Sequence, residues 1–314
     1  MRDQLGFSSE HQNHRGTSAA AQWGALRPYI AWEYRLGRRM ARGRATAFAY
    51  EFVRFGFKQA WACLFGGLMC ALLVVTHLFY PREIWLARYD FLVLMSVAIQ
   101  IVMLAFKLET WEEANVIFLF HVAGTIMEIF KTAVGSWIYP EPSMLRIGGV
   151  PLFTGFMYTA VGSYMVRVWH LSDFRFRGHP PLWQVFALAA AAYVNFFSHH
   201  YIYDVRWVLF AFCILVFGRS WIYYKVWKVH RPMPLLIACG LTATFIWFAE
   251  NIGTYSRAWI YPNQAHGWTM VSFAKWSSWF LLLIVSYALV IIIRRLRYID
   301  DMELDRITGR KPEN

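Results

Sequence analysis

Long apolar runs separated by short charged stretches dominate this chain, and the runs measure about 18 to 22 residues, the helix length that crosses about 30 Å of hydrocarbon. About eight such spans are predicted, near 60–79, 88–106, 114–132, 149–169, 182–200, 207–227, 234–253 and 271–293. Residues 1–20 are polar and read as a disordered N-terminus. Residues 21–58 interleave Trp23, Tyr29, Trp32 and Phe48 with arginines such as Arg35, Arg38 and Arg54, which suits a basic amphipathic segment in the membrane interface. Residues 294–314 form a charged tail.

A second pattern lies over the first. Glu128 to Pro140 reads EIFKTAVGSWIYP, and Glu250 to Pro262 reads ENIGTYSRAWIYP. Each places a glutamate nine residues ahead of Trp-Ile-Tyr-Pro, at an offset of 122. The same shift superposes Trp61 on Trp183, Thr76 on Ser198, His77 on His199 and Trp85 on Trp207. Rare residues matching repeatedly at one offset point to an internal duplication. Repeat 1 would occupy 59–180 and repeat 2 would occupy 181–293. Four spans per repeat is an even number, so matching helices cross in the same direction. The predicted fold is therefore all-α: a polytopic helical bundle of two parallel four-helix repeats related by a pseudo-twofold axis along the membrane normal.

Composition agrees with a membrane protein. Hydrophobic residues make up 58% of the chain, including 26 Phe, 17 Tyr and 16 Trp, more apolar surface than a soluble domain of this length can hide. The net charge of +12 does not imply nucleic acid, because the basic residues flank the apolar runs and suit lipid headgroups instead. About 23 of the 31 Lys and Arg fall on the side of the termini, which places both termini in the cytoplasm. Cys63, Cys70, Cys213 and Cys239 lie inside apolar runs without a CxxC pair and read as small core residues.

The candidate chemistry gathers at one depth. Glu128, Glu250, His77 and His199 all fall near the ends of odd-numbered spans, close to the external face. An ionisable group within a span is costly and marks function by default, so these four are the candidate catalytic residues. His200, Asp204, Arg206 and Lys131 lie on the same side, as do Trp137, Tyr139, Trp259 and Tyr261 of the two repeated motifs, whose Trp and Tyr are expected to anchor at the interface. His121 reads as a hydrogen-bonded core group, and Gly124, Gly135, Gly148, Gly149 and Gly155 as sites of close helix approach. Nucleotide-binding, serine-hydrolase and HExxH signatures are absent.

The segments HVAGTIMEIFKTAVGSWIYPEPSMLRIGGVP, SHHYIYDVRW and FAENIGTYSRAWIYP resemble the bacterial membrane family called domain of unknown function 817. That resemblance covers nearly everything after the N-terminal segment and implies a multi-pass protein of the bacterial cytoplasmic membrane. Glu128, Trp137, Tyr139, Gly148, Gly149 and Pro151 also resemble, in order, the membrane carotenoid cyclases of the lycopene type and the related hydratases. Those cyclases follow the proline with paired acidic residues, where Leu152, Phe153 and Thr154 stand here.

Three readings follow. The first is an enzyme acting on a lipid or isoprenoid. A carboxyl group in low dielectric holds its proton to higher pH and can protonate an alkene, with Glu128 and Glu250 as acid and base and His77 and His199 setting their protonation. In a variant of this reading, His77, His199 and His200 hold a divalent metal with a glutamate. The second is a transporter or a binder of a hydrophobic small molecule, with its site between the repeats. The third is an accessory membrane protein without chemistry.

Overall fold

The computed structural model describes residues 43–81, 83–106, 111–293 and 296–308. The polar N-terminus, residues 21–42 of the basic segment, Arg82 and residues 309–314 of the tail lie outside the described residues.

The described part is mostly helical. In order it forms α1 (Arg44–Ala62), α2 (Leu64–Phe79), α3 (Arg88–Ala105) and α4 (Trp111–Ala133), then β1 (Arg146–Ile147), β2 (Val150–Pro151) and α5 (Phe153–Ser172). After β3 (Arg175–Arg177) come α6 (Leu182–Ser198), α7 (Arg206–Phe217), β4 (Trp221–Lys225) and β5 (His230–Pro234). The chain closes with α8 (Leu235–Tyr255), a 3-10 turn (Pro262–Gln264), α9 (Ala274–Ile293) and α10 (Asp301–Thr308). Contacts divide it into two units, residues 1–57 and 58–314. In the first, Phe48 and Phe52 stack with ring centroids 6.4 Å apart and both are exposed.

Three helices, α3, α8 and α9, are long and apolar enough to cross a membrane, with a fourth if α1 and α2 count as one broken span. The sixth expected span, 207–227, departs from the prediction. It is helix only through Phe217, and Trp221–Lys225 forms a strand. The sequence WIYYK is aromatic and β-branched, which suits a pleated surface better than a helix. It pairs antiparallel with β3 on one side (Phe176↔Ile222) and with β5 on the other (Ile222↔Met233). Cys63 also departs from its expected core position, being exposed, whereas Cys213 and Cys239 are buried.

Burial is concentrated in two large clusters, beside a small third one of Phe65, Met69 and Met103. One joins α5, α6, α7, α8 and α9 through Val166, Val185, Cys213, Phe217, Ala243 and Ile284. The other packs Leu73, Tyr89, Leu92 and Phe153 against Trp137, Tyr139 and Tyr261 of the repeated motifs. Close approach of α4 and α5 depends on Gly124, where an added Cβ would fall 2.6 Å from the Tyr158 ring. Gly148 and Gly149, expected at a helix contact, instead make the two-residue turn between β1 and β2, with φ of +58° and +83°. Positive φ at both central positions is what a tight hairpin turn demands, and glycine supplies it without strain.

Candidate functional site

Beyond α4 the chain turns at Gly135, φ +73°, and runs back extended through Trp137-Ile138-Tyr139. In an extended segment residues i and i+2 share a face. Trp137 and Tyr139 therefore point the same way, and both donate to one carboxylate oxygen: Trp137 Nε1 to Glu128 Oε2 at 2.7 Å, and the Tyr139 hydroxyl to the same Oε2. Ile138 faces outward, and its backbone pairs with Ile260 through two N–H to O bonds of 3.0 Å. The second motif repeats the scheme, with the Tyr261 hydroxyl donating to Glu250 Oε1 and Trp259 a further hydrogen-bonding neighbour of that glutamate. The W-x-Y spacing is thus explained by geometry. The motif tyrosines and Trp137 are buried, which corrects the expectation that they anchor at the lipid interface.

Each carboxylate takes one more donor from the following helix. Tyr158 on α5 donates to Glu128 Oε1 at 2.7 Å, and Trp279 Nε1 on α9 donates to Glu250 Oε2. Glu128 and Glu250 are 5% and 4% exposed, so these donors replace water that neither group can reach. Burial, followed by the charge of Glu128, pushes the Tyr139 hydroxyl well above its ordinary value, and burial with Glu250 does the same to Tyr261. Both therefore remain O–H donors throughout the physiological range. The two glutamates are close enough to feel each other's charge.

Tyr158 and Trp279 were missed by the sequence reading for a simple reason. They are 121 residues apart, so the 122-residue shift sets Phe280 against Tyr158 and Met157 against Trp279. Both side chains also line a cavity of about 350 Å³ between α4, α5, α6 and α9. Apart from Ser286 its wall is otherwise largely apolar, with Phe120, Phe186 and Tyr193 among the aromatic members.

The histidines separate. His77 lies against Tyr255, with ring centroids 5.6 Å apart. His199 and His200 meet Lys131, whose Nζ is 3.5 Å from His199 Nε2 and 2.9 Å from His200 Nε2. His199 Nδ1 is 2.9 Å from the Asn195 carbonyl, so that nitrogen donates and Nε2 faces Lys131 as an acceptor. The three histidines do not form the expected ligand set, because His77 belongs to a different contact. Among the described residues no group of three or more His, Cys, Asp or Glu is arranged to hold a metal ion. Asp204 pairs with Arg206 at 2.6 Å and accepts from Asn195 at 3.1 Å. Burial raises the Asp204 carboxyl, but the Asn195 amide and the Arg206 N–H groups outweigh it and hold the carboxyl below its usual value.

Two further polar groups serve the scaffold. Arg88, 8% exposed, reaches Thr76 at 3.1 Å, the Ser256 carbonyl at 2.8 Å and Glu141, and so ties α2 and α3 to the end of α8. Asp90 accepts from the Met144 and Leu145 amides, at 2.9 and 2.8 Å, and fixes the loop after the first motif. His121, expected to be hydrogen-bonded, stacks edge-on to Phe156, and its buried Nδ1 has no partner.

Comparison with known proteins places this architecture. A relative from Bacillus subtilis (strain 168), "Uncharacterized protein YoaT", is 42% identical over 247 residues, which is 79% of this chain and 93% of the relative. No solved structure matches. The family described as "Protein of unknown function (DUF817)" matches residues 51–287, which include both glutamates, both Trp-Ile-Tyr-Pro motifs and most of the cavity lining, and the chain belongs to that family.

Proposed function

We propose that the protein is an integral membrane enzyme that performs acid–base chemistry on a lipid or isoprenoid held in the apolar cavity. One observation carries the reading: Tyr158 and Trp279 line the cavity and also donate to the two buried glutamates. A substrate against that end of the chamber is one hydroxyl away from Glu128 and one indole away from Glu250.

The two routes differ chemically. A tyrosine hydroxyl both donates and accepts, so a proton delivered to Glu128 passes to the Tyr158 oxygen while the Tyr158 hydrogen turns to the substrate. Added to one carbon of an alkene, that proton leaves a carbocation on the other. The cation collapses by returning a neighbouring proton along the same path, which is isomerisation; by attack of a second double bond of the same molecule, which forms a C–C bond before a proton is returned and is cyclisation; or by capturing water that then gives up a proton, which is hydration. An indole N–H only donates, so Trp279 cannot relay. Its face, with the N–H held by the Glu250 carboxylate, suits stabilisation of the cation instead, together with Phe120, Phe186 and Tyr193.

Two parallel repeats of membrane helices, in the cytoplasmic membrane with both termini inside, complete the proposal. Support comes from the two isolated backbone bridges, Ile138 with Ile260 and Phe176 with Tyr298, each joining residues 122 apart. A binding or transport role shares the cavity but leaves the tyrosine relay unexplained.

The test is native mass spectrometry of gently solubilised protein beside Ala190→Trp, which fills the chamber. A co-purified apolar molecule on the parent, absent from the variant, is expected. Protein that carries nothing, or a ligand indifferent to Ala190→Trp, contradicts the reading.

A further inference from the structure

Lys131 is 2% exposed, yet it makes no ion pair among the described residues. Its ammonium rests on two imidazole nitrogens, His200 Nε2 at 2.9 Å and His199 Nε2 at 3.5 Å, and 4.0 Å above the Phe196 ring. None of these carries a formal negative charge, and a buried cation with no counter-anion in direct contact is a costly arrangement. Arg206 and Lys275 are close enough to repel Lys131 further. Lys275 lies 4.4 Å above the Tyr261 ring. The nearby acids are Asp204, which Arg206 already occupies, and Glu128, which Trp137, Tyr139 and Tyr158 already hold.

Beside His199, Phe196 and Arg206 lies a second, smaller cavity of about 30 Å³, lined also by Asn195 and Ser278. The Ser136 hydroxyl, 3.2 Å from His200 Nε2, adds a donor at its edge. The small cavity abuts the large one. Leu282 lines both, and Ala192 in the small one stands a helical turn beyond Ala189 in the large one. Between α6 and α9 the apolar chamber thus adjoins a small pocket that carries Arg206, His199 and Asn195.

We infer that the molecule bound in the chamber is an amphiphile whose phosphate-type head is held by Lys131, Arg206, Lys275 and the His199–His200 pair. This rests on the chamber reading above and narrows its substrate class. Arg206 forks toward two oxygens, Lys131 supplies the buried charge, and the two imidazoles become donors when a dianion draws protons onto them. The apolar tail lies along Phe186 and Leu282 toward Tyr158.

The test measures binding of three probes to full-length protein in neutral-lipid nanodiscs: farnesyl phosphate, farnesol and inorganic phosphate. Farnesyl phosphate should bind about tenfold tighter than farnesol and also tighter than inorganic phosphate. Lys131→Gln should erase the preference over farnesol while leaving farnesol binding in place. Arg206→Gln, at a half-buried position, repeats the test should Lys131→Gln fail to fold. Equal binding of farnesol and its phosphate overturns the head site and leaves the chamber intact. Inorganic phosphate binding as tightly as farnesyl phosphate marks a free-anion site and overturns the link to the tail. Absence of all binding overturns this inference and the chamber together, whereas loss of turnover alone in Glu128→Gln, with the preference kept, bears only on the chemistry.

Discussion

The two glutamates sit in cages cut from one sequence pattern and closed in different ways. Glu128 receives Trp137 and Tyr139 from its own motif and Tyr158 from the next helix. Glu250 receives Tyr261 from its motif, but the next helix supplies Trp279. The position of Lys131 is taken in the second half by Gly253, and the Trp259 ring lies directly against that glycine. Glycine there leaves the space that the Trp259 indole fills. In the mechanism proposed above, one cage moves a proton and the other only holds charge.

The sharpest way to break this comparison is to remove the two helix donors in turn. Tyr158→Phe should lower turnover about 100-fold, the lower end of what a positioned proton donor contributes. Trp279→Phe keeps an aromatic face and should cost about tenfold or less. Equal losses would erase the distinction between the halves, as read by deuterium uptake from D2O into extracted lipid.

Stability gives the next comparison. Glu128→Ala strands Trp137, Tyr139 and Tyr158, and Glu250→Ala strands Trp259, Tyr261 and Trp279, at about 1–3 kcal/mol each before relaxation, so both should lower the thermal midpoint in detergent by similar amounts. A drop in only one of them would mean that the cages carry unequal structural weight. Gly253→Ala should cost about 1–3 kcal/mol because its methyl meets the Trp259 ring, whereas Ala at Gly67, with nothing within 4 Å, should cost little.

The smallest effect lies outside the cages. Asp173 is held below its usual carboxylate range chiefly by His230, 3.3 Å away, and then by Arg175 and Arg297. A depressed folded value means that stability is present above the unfolded value of about 4 and is lost as pH falls toward the folded one. The side chain is 37% exposed, so screening keeps the effect small. Asp173→Asn tolerates the φ of +44° and should flatten the acid limb of a melting-versus-pH curve; an unchanged limb would remove this cluster from the account.

The sequence made the glutamates and their motifs legible because rare residues repeated at one offset. Rarity also misled. Trp and Tyr near a span end signal the interface, and only the fold reveals Trp137 and Tyr139 turned inward onto Glu128. Tyr158 and Trp279 were hidden by a one-residue slip between the halves. The strand at Trp221–Lys225 was masked by an apolar run that hydropathy cannot distinguish from helix. His77 shared the offset with His199 but not its surroundings, because its neighbour is Tyr255 and not a lysine.

The central claim is that Glu128, through Tyr158, exchanges protons with a molecule in the chamber. The most direct measurement incubates membranes containing the parent, Glu128→Gln or Glu250→Gln in D2O and follows deuterium in the extracted lipids by mass spectrometry. The account predicts a lipid labelled by the parent, unlabelled with Glu128→Gln and labelled more slowly with Glu250→Gln. Labelling that persists in Glu128→Gln, or that never exceeds membranes lacking the protein, would contradict it.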